Sequence, residues 1–249
     1  MTENDVVSAI RAHDAGRDPV RLAMRYQAMR ASPFAFLRAT CHLYYTRAHE
    51  GAQLPEAPIG WLCGDLHVEN FGSFRGANGL AYFDLNDFDE AVQAPGTWDI
   101  LRLATSIMIW AKERHRTAAD RRAHSKLAVD AFAAALRDGR ARSVERLTAE
   151  GPVRKLLRQV EERTRRLLLM ERTVQRGASG VRRLVLDPAR ALAVPRDERE
   201  QVTKAVARFG AGQPEPRFFD VVDIARRVAG LGSLGLPRWV VLVAGKGPP

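Results

Sequence analysis

The sequence predicts a mixed α+β fold in which helices dominate and short strands occur in two places. Apolar residues recur at helical spacing over much of 1–215. Short apolar runs separated by turn residues interrupt this pattern at 60–85. The composition changes near residue 215, and strand-like runs then surround a glycine-rich segment. We therefore expect a helical region over 1–215, with its functional loops at 60–99, followed by a β region over 216–249.

Helix boundaries are predicted from capping residues, from proline at the first helical position and from glycine at the end. The predicted helices run over 19–30, over 34–49, from Thr97 onward, from the capping box of Thr117 to Gly139, over 152–176 and over 197–209. The predicted strands are 60–63, 70–74, 80–85, 221–228 and 238–243. The helix that begins at Thr97 has one apolar face, so we expect that face to be buried.

The chain has a formal net charge of +10 and 46% hydrophobic residues. Much of the excess is arginine between Arg137 and Arg183, which we interpret as mostly solvated helix surface, although a basic surface also attracts nucleic acid or phosphorylated ligands. The sequence has no apolar run of membrane-spanning length and no signal-peptide pattern at its start. Cys41 and Cys63 match no metal-ligand spacing, and so few thiols predict a reducing, cytoplasmic location.

The densest chemistry lies in the segments WLCGDLHVENFGSF and LAYFDLNDFDEA. Their acidic, amide and imidazole side chains are Asp65, His67, Glu69, Asn70, Asp84, Asn86, Asp87, Asp89 and Glu90. Neighbouring carboxylates repel each other unless a cation or arginines compensate. Carboxylate and amide oxygens are the ligands that Mg²⁺ accepts, with phosphate oxygens completing its coordination. Protein kinases have an aspartate, an asparagine five residues later and a second aspartate after the next strand, and this sequence has the same arrangement.

The motifs GDLHVENFG, FDLNDFDEA and TWDILRLATS together resemble the DUF2252 family, a bacterial family related to aminoglycoside phosphotransferases and other kinase-like proteins. SPFAFLRAT upstream and RVAGLGSLG downstream resemble the same family. The resemblance covers about residues 18–245 and is strongest over 64–106. It implies a protein kinase-like fold in which Asp65 is the catalytic aspartate and Asn70 binds metal.

The resemblance also implies roles for the other polar residues of these motifs. Asp87 matches the metal aspartate of a DFG-type motif, and it precedes Asp99 by 12 residues, a spacing like that of the aminoglycoside phosphotransferases. Asp84 is the rival for this role because it also ends a strand, and Asp89 is a further candidate ligand. His67 matches a structural histidine. Asp99 matches the aspartate that opens the next helix and braces the catalytic loop through backbone N–H groups.

Other interpretations of these residues stay open on the residues alone. Asp65 and Asn70 are also typical of turns, and Asp84 and Asp87 are also typical of strand ends. Solvation or pairing with arginine explains Asp89 and Glu90 better than metal binding does. Arg38 and Arg102 either pair with the acidic loop or cover helix faces, and the sequence does not separate these alternatives.

The motif GLGSLG lies between two predicted strands and contains Gly230, Gly232, Ser233 and Gly235. A dinucleotide fingerprint must open a helix, so we interpret the motif as a hairpin whose backbone N–H groups approach the phosphates of ATP; a plain glycine-rich turn is the alternative. Such a loop precedes the catalytic loop in ordinary kinases, so its position here predicts a circularly permuted fold. The resemblance implies a further lysine-containing strand, and we therefore expect an incomplete, C-terminally truncated β lobe that leaves this chain inactive or weakly active.

The leading hypothesis is therefore a Mg²⁺- and ATP-dependent phosphotransferase that acts on an unidentified small molecule. The second is a non-catalytic kinase-like binding module or an inactive fragment. The third is nucleic-acid binding through the basic helix predicted at 152–176. We rank it last because the basic residues surround the helix instead of forming one stripe, and no aromatic platform accompanies them. The sequence does not indicate an oligomeric state.

Overall fold

A computed structural model shows a mixed α+β protein made of helices and small antiparallel sheets. It describes residues 3–51, 54–176, 180–228 and 230–246. The chain forms two compact units, of which the first comprises Met1–Gly16 and Val20–Glu162 and the second comprises Arg17–Pro19 and Arg163–Pro249. Composition predicted a boundary near residue 215, whereas the structure already places 163–215 in the second unit.

The first unit consists, in its described residues, of helices and two small sheets. They are α1 (Glu3–His13), α2 (Pro19–Ala31), α3 (Pro33–Ala39), α4 (Cys41–Gly51), α5 (Thr97–Glu113), α6 (Ala118–Asp138) and α7 (Gly151–Glu162). The strands are β1 (Ile59–Leu62), β2 (Phe71–Arg75), β3 (Ala81–Leu85), β4 (Val92–Pro95) and β5 (Val144–Glu145). β1 pairs with β4, and β3 lies between β2 and β5; all pairs are antiparallel. The predicted strands at 60–63, 70–74 and 80–85 agree with β1, β2 and β3 to within one residue.

The second unit is built on one three-stranded sheet and one hairpin. Its elements are α8 (Arg165–Arg172), β6 (Thr173–Arg176), β7 (Val181–Leu184), β8 (Ala191–Leu192), α9 (Arg196–Ala211), a 3₁₀ helix at Pro216–Phe219, β9 (Val221–Arg227), a 3₁₀ turn at Leu231–Ser233 and β10 (Trp239–Val243). β6 pairs with β7, and the other sheet has the order β10-β9-β8. The strands predicted at 221–228 and 238–243 are confirmed as β9 and β10, and the helix predicted at 197–209 is confirmed as α9.

α5 is the central helix of the first unit. Its Leu103 packs with buried Cys63 and Leu66 in a hydrophobic cluster, as the apolar face predicted. Two polar residues of the same helix, Arg102 and Ser106, are also completely buried, which its apolar face did not predict. Burial on α5 therefore extends beyond its apolar residues.

The helix predicted over 34–49 is wrong as a single helix, because α3 and α4 meet at Thr40. Thr40 has φ −118° and ψ 34°, outside the helical region. Its hydroxyl donates to the Phe36 carbonyl at 2.7 Å, a side-chain bond that bends helices. The buried Arg25 of α2 donates through Nη2 to the Ala39 carbonyl at 2.5 Å and so satisfies an acceptor at the end of α3.

The capping box predicted for α6 is confirmed. The Thr117 side chain accepts from the Asp120 N–H at 3.1 Å, and the Asp120 carboxylate accepts from the Thr117 N–H at 3.3 Å. Gly139 ends the helix with φ 65°, in the left-handed region.

The long basic helix predicted over 152–176 is wrong as a single helix, because α7 and α8 are separated at residues 163–164 and the range ends in a strand. The chain leaves helical geometry after α7, and Thr164 then caps α8 by accepting from the Leu167 N–H at 3.2 Å. The last residues of the prediction form β6, where the β-branched Thr173 and Val174 suit a strand. The basic residues considered for nucleic-acid binding therefore lie on two separate helices and the turn after α7; they are Arg154, Lys155, Arg158, Arg163, Arg165 and Arg166.

Within the described ranges, no helix combines the length and the apolar character that crossing a bilayer requires.

Candidate functional site

The loop between β1 and β2 carries three of the predicted site residues, Asp65, His67 and Asn70. Cys63 and Leu66 anchor this loop because both side chains are buried in the hydrophobic cluster beside α5. The Asp65 side chain remains 19% exposed. The loop thus has a buried underside and leaves the Asp65 carboxylate partly accessible.

Glycine is required at the start of this loop. Gly64 has φ 93°, a conformation that other residues adopt only with strain. A Cβ atom at this position would come within 1.9 Å of the Glu90 carbonyl oxygen. The close approach of these two backbones brings the segment after β3 against the loop that carries Asp65.

Asp65 forms an ion pair with Arg102, whose side chain is buried. Arg102 donates from Nε to Asp65 Oδ1 at 3.0 Å and from Nη2 to the same oxygen. Nη2 also donates to the Leu37 carbonyl at 2.9 Å, and the guanidinium lies 5.1 Å from the centroid of the Tyr44 ring. Burial raises the pKa of Asp65, while Arg102 and then Arg38 lower it, so these arginines favour the ionised carboxylate.

His67 is neutral at physiological pH and lies beside Asp65. Burial lowers the pKa of its imidazole to about 3, with Arg38 and Arg102 adding to the effect. Its Nδ1 accepts from the Glu69 N–H at 3.1 Å, so the proton of the neutral ring is on Nε2. Nε2 faces Asp65 Oδ2 at 3.6 Å, which is too long for a hydrogen bond. His67 therefore shapes the loop and contributes a dipole, without positive charge, next to Asp65.

The buried Asn70 side chain joins the two acidic segments. Its Nδ2 lies 3.2 Å from the carbonyl oxygen of Asp65 and 3.2 Å from that of Asp87. Its Oδ1 accepts from the Asp87 N–H at 2.9 Å. Cys63 completes this junction, because its thiol lies 3.2 Å from Asn70 Nδ2 and donates to the Asp87 carbonyl at 3.0 Å. Asp65, Asn70 and Asp87 thus belong to one hydrogen-bonded unit.

Asp99, in the first turn of α5, accepts hydrogen bonds from the start of the loop. Its carboxylate receives the Cys63 N–H at 2.7 Å and the Gly64 N–H at 3.3 Å. The Tyr45 hydroxyl lies 2.6 Å from the Gly64 carbonyl and 3.2 Å from Asp99 Oδ1. Asp99 and Tyr45 therefore hold the start of the loop beside α5, and the sequence did not indicate Tyr45.

The three candidate metal aspartates are exposed and differ in their neighbours. Asp84 lies on β3 opposite Gly72, and its carboxylate accepts the N–H of Leu85 at 2.8 Å. Asp87 is the aspartate bonded to Asn70, and its Oδ1 accepts from the Asp89 N–H at 3.3 Å. Of the two rivals, Asp87 is therefore the one that adjoins the Asp65 loop.

The donor set fits a weakly caged cation. In the part of the chain that the structure describes, no three His, Cys, Asp or Glu side chains gather around a common metal position. Mg²⁺ is commonly bound through one or two carboxylates with water and substrate phosphates supplying the rest. Asp87 offers an exposed carboxylate, and the Asn70 amide oxygen has a second lone pair beyond the one used by the Asp87 N–H. These two residues suit such an ion, and a closed protein cage is not formed.

The glycine-rich motif belongs to the second unit and connects β9 to β10. Gly230 precedes the 3₁₀ turn, Gly232 and Ser233 lie within it, and the Ser233 hydroxyl lies 3.3 Å from the Gly230 carbonyl. Gly235 has φ 93°, and a Cβ atom there would come within 3.0 Å of Arg17 Cβ. Its carbonyl accepts from the Asp18 N–H at 3.0 Å. Gly235 is thus required by the fold of this turn, whatever the motif binds.

Both arginines that the sequence left undecided pair with the acidic loop. Arg102 binds Asp65, as described above, and Arg38 binds Glu69 with an Nη1–Oε2 distance of 2.7 Å. The complete burial of Arg102 was not predictable, because charged side chains are rarely buried and its helical neighbours gave no sign of it. The signal available was the position of Arg102 three residues after Asp99, on the helix that follows the acidic segment.

Comparison with known proteins gives one positive result. No curated protein and no solved structure matches the chain. One protein family matches residues 17–249 and is described as "Uncharacterized protein conserved in bacteria (DUF2252)". The match covers nearly the whole chain, including the Asp65 loop, the Asp87 segment and the glycine-rich motif. The chain therefore belongs to the DUF2252 family.

Proposed function

We propose that the protein is a Mg²⁺- and ATP-dependent phosphotransferase of permuted kinase-like architecture, which acts on the hydroxyl group of a small molecule. One observation carries the proposal: the Asn70 amide joins the backbones of Asp65 and Asp87. Hydrogen bonds thereby join the residues that carry the candidate catalytic carboxylate and the candidate metal-binding carboxylate. Two buried free thiols are compatible with the reducing cytoplasm where we place the protein.

Asp65 accepts the proton of the acceptor hydroxyl in the proposed reaction. The hydroxyl oxygen bonds to the γ-phosphorus, while the bond from that phosphorus to the β–γ bridging oxygen breaks and its electron pair leaves with ADP. Arg102 holds Asp65 in one orientation and favours its ionised form, and the neutral His67 adds no competing cation. The partial exposure of Asp65 leaves room for an acceptor to approach it.

Asp87 and Asn70 would hold the Mg²⁺ ion. When bound, the ion neutralises charge on the β- and γ-phosphates of ATP. Asp84 and Asp89 flank Asp87 in sequence and would add negative potential near it. The turn of the second unit that contains Gly230, Gly232, Ser233 and Gly235 is a separate candidate for binding phosphate through its backbone N–H groups.

Replacing the proposed base tests this assignment. Asp65→Asn keeps the size of the side chain and removes its proton affinity, so transfer from ATP should fall by about 100-fold or more, while ATP binding stays near the wild-type value. ADP release with Mg²⁺ and a panel of small-molecule alcohols measures transfer, and calorimetry measures ATP binding. Asp138→Asn on α6 is the matched control, because it makes the same substitution at an exposed aspartate outside the site. Transfer at the wild-type rate by Asp65→Asn would refute the role of Asp65.

A non-catalytic nucleotide-binding module is the second candidate, and a specific observation favours it. Arg102 already neutralises Asp65, and the Asn70 oxygen already accepts a backbone hydrogen bond. Such a module binds ATP without turning it over. The same experiment separates the two candidates, because ATP with Mg²⁺ would raise the melting temperature of the wild-type protein in both cases, whereas ADP would be released only by the enzyme.

A further inference from the structure

Arg38 is placed at the candidate site by contacts with two neighbouring side chains. It lies in the last turn of α3, and its Nη1 is 2.7 Å from Glu69 Oε2. Its guanidinium lies 6.0 Å from the centroid of the Phe34 ring. That ring in turn packs edge-on against His67, with centroids 5.7 Å apart. Arg38 is therefore held beside the loop that carries the proposed catalytic base.

Arg38 differs from Arg102 in what it can still bind. Arg102 is completely buried and already bonded to Asp65 and to a backbone carbonyl. The Arg38 side chain is 27% exposed, whereas that of Arg102 is 1% exposed. Each guanidinium also has one buried nitrogen without a hydrogen-bond partner, Nε in Arg38 and Nη1 in Arg102, so exposure is what separates them. Glu69 takes one of its nitrogens within the described residues. A guanidinium has five N–H donors, so Arg38 has donors to spare.

The proposed reaction needs a cation near Asp65, and Arg38 lies beside the loop that carries Asp65. Phosphoryl transfer spreads negative charge over three oxygens, and fixed positive charge beside those oxygens stabilises the transition state. Arg102 cannot supply it, because its charge is committed to Asp65 inside the protein. The carboxylates of the site also need an opposing charge before a phosphoryl group can approach Asp65.

We propose that Arg38 binds the phosphoryl group during transfer, and that Glu69 is the counter-ion that Arg38 leaves when the phosphoryl group arrives. This inference rests on the proposed function. The Glu69 side chain is 45% exposed, and ion pairs with that exposure are weak. Arginine binds phosphate through two parallel N–H···O bonds, which are stronger than its single contact with Glu69. Exchange of Glu69 for phosphate oxygens therefore stabilises the arginine.

Binding of inorganic phosphate tests the inference without any turnover. Arg38→Ala should weaken phosphate binding on the order of tenfold, and Arg38→Lys should restore part of it. Glu69→Gln should strengthen binding, because it removes the competing carboxylate. Arg142→Ala is the matched control, since it removes an exposed arginine of the same unit that also pairs with a carboxylate, Asp138, at 2.6 Å. Dissociation constants come from phosphorus NMR titration, and circular dichroism checks that each variant is folded.

Three results would overturn the role of Arg38: no phosphate binding by the wild-type protein, unchanged binding by Arg38→Ala, or an equal loss in Arg142→Ala. Glu69→Gln keeps Arg38 and removes only the carboxylate that competes with phosphate for it, so it tests the inference even if Arg38→Ala does not fold. Unchanged phosphate binding by Glu69→Gln also contradicts the inference. The turnover assay distinguishes this failure from failure of the proposed function. Wild-type transfer that Arg38→Ala retains in full refutes the inference alone. Arg38-dependent phosphate binding without any transfer refutes the proposed function and leaves Arg38 as a phosphate-binding residue only.

Discussion

At the scale of single residues, His67 couples the folded state to pH. Its pKa is about 3 in the folded protein because the imidazole is buried, against an ordinary value of 6.5. Between these values the unfolded chain binds a proton that the folded chain does not. The free energy of unfolding therefore falls as pH falls from 6.5 to about 3, and the contribution of His67 approaches about 1.4 kcal/mol per pH unit.

We predict that His67→Asn makes the free energy of unfolding less dependent on pH in this window. Asparagine can still accept the Glu69 N–H, so the loop contact is retained. Burial raises the pKa values of Asp65 and Asp99, so these carboxyls make the free energy of unfolding change with pH in the opposite direction. Both carboxyls are present in the wild type and in His67→Asn. Urea denaturation across the window measures the effect, with His124→Asn as the control that removes an exposed imidazole. Identical pH dependence in His67→Asn and wild type would show that His67 is not responsible.

Residue-scale features differ in how far the sequence predicts them. The family resemblance implied that Asp99 is an acceptor for the loop, and in the structure its carboxylate accepts the N–H groups of Cys63 and Gly64. The sequence did not decide the role of Arg102, because charged side chains usually lie at the surface. A buried arginine depends on partners from three parts of the chain, Asp65, Leu37 and Tyr44, that no local pattern connects.

At the scale of elements, strands were predicted correctly where turn-forming residues mark their ends. β2 and β3 were predicted because the glycines of 76–79 mark the turn between two apolar runs. The helix over 152–176 was overextended because arginine and leucine are good helix formers, so the composition did not reveal the break at Thr164. β4 was missed because it has four residues and ends in proline. Short strands depend on their partners more than on their own sequence.

α7 is held to the first unit by one apolar side. Leu157 is completely buried and packs with Ala81 and Ala149. We predict that Leu157→Ala lowers the free energy of unfolding by about 2–5 kcal/mol, since it leaves a cavity. Arg158→Ala, at the neighbouring position of the same helix, removes a 68% exposed side chain. It should change the free energy by less than about 0.5 kcal/mol. Chemical denaturation compares them, and equal effects would contradict the assigned orientation of α7.

At the scale of the whole molecule, the second unit includes a segment from near the start of the chain. Residues 17–19 belong to it together with 163–249. Arg17 is buried and donates from Nη1 to the Leu234 carbonyl at 2.9 Å. The Asp18 carboxylate pairs with Arg226 of β9 at 3.6 Å. This segment thus fastens the C-terminal half of the glycine-rich turn, a long-range contact that a scan of local patterns does not detect.

Arg17→Ala should therefore loosen that turn. The variant loses a charged donor to the Leu234 carbonyl and the packing against Gly235, and a hydrogen bond to a charged group contributes about 1.5–3 kcal/mol. We expect hydrogen exchange of the backbone amides in 230–238 to accelerate by about tenfold or more, since local opening becomes easier. Mass spectrometry of the exchanged protein measures this. Arg196→Ala, which removes a 94% exposed side chain from α9, is the control. If the turn exchanges at the same rate in Arg17→Ala as in the wild type, residues 17–19 do not hold it, and its order comes from the β9–β10 pairing alone.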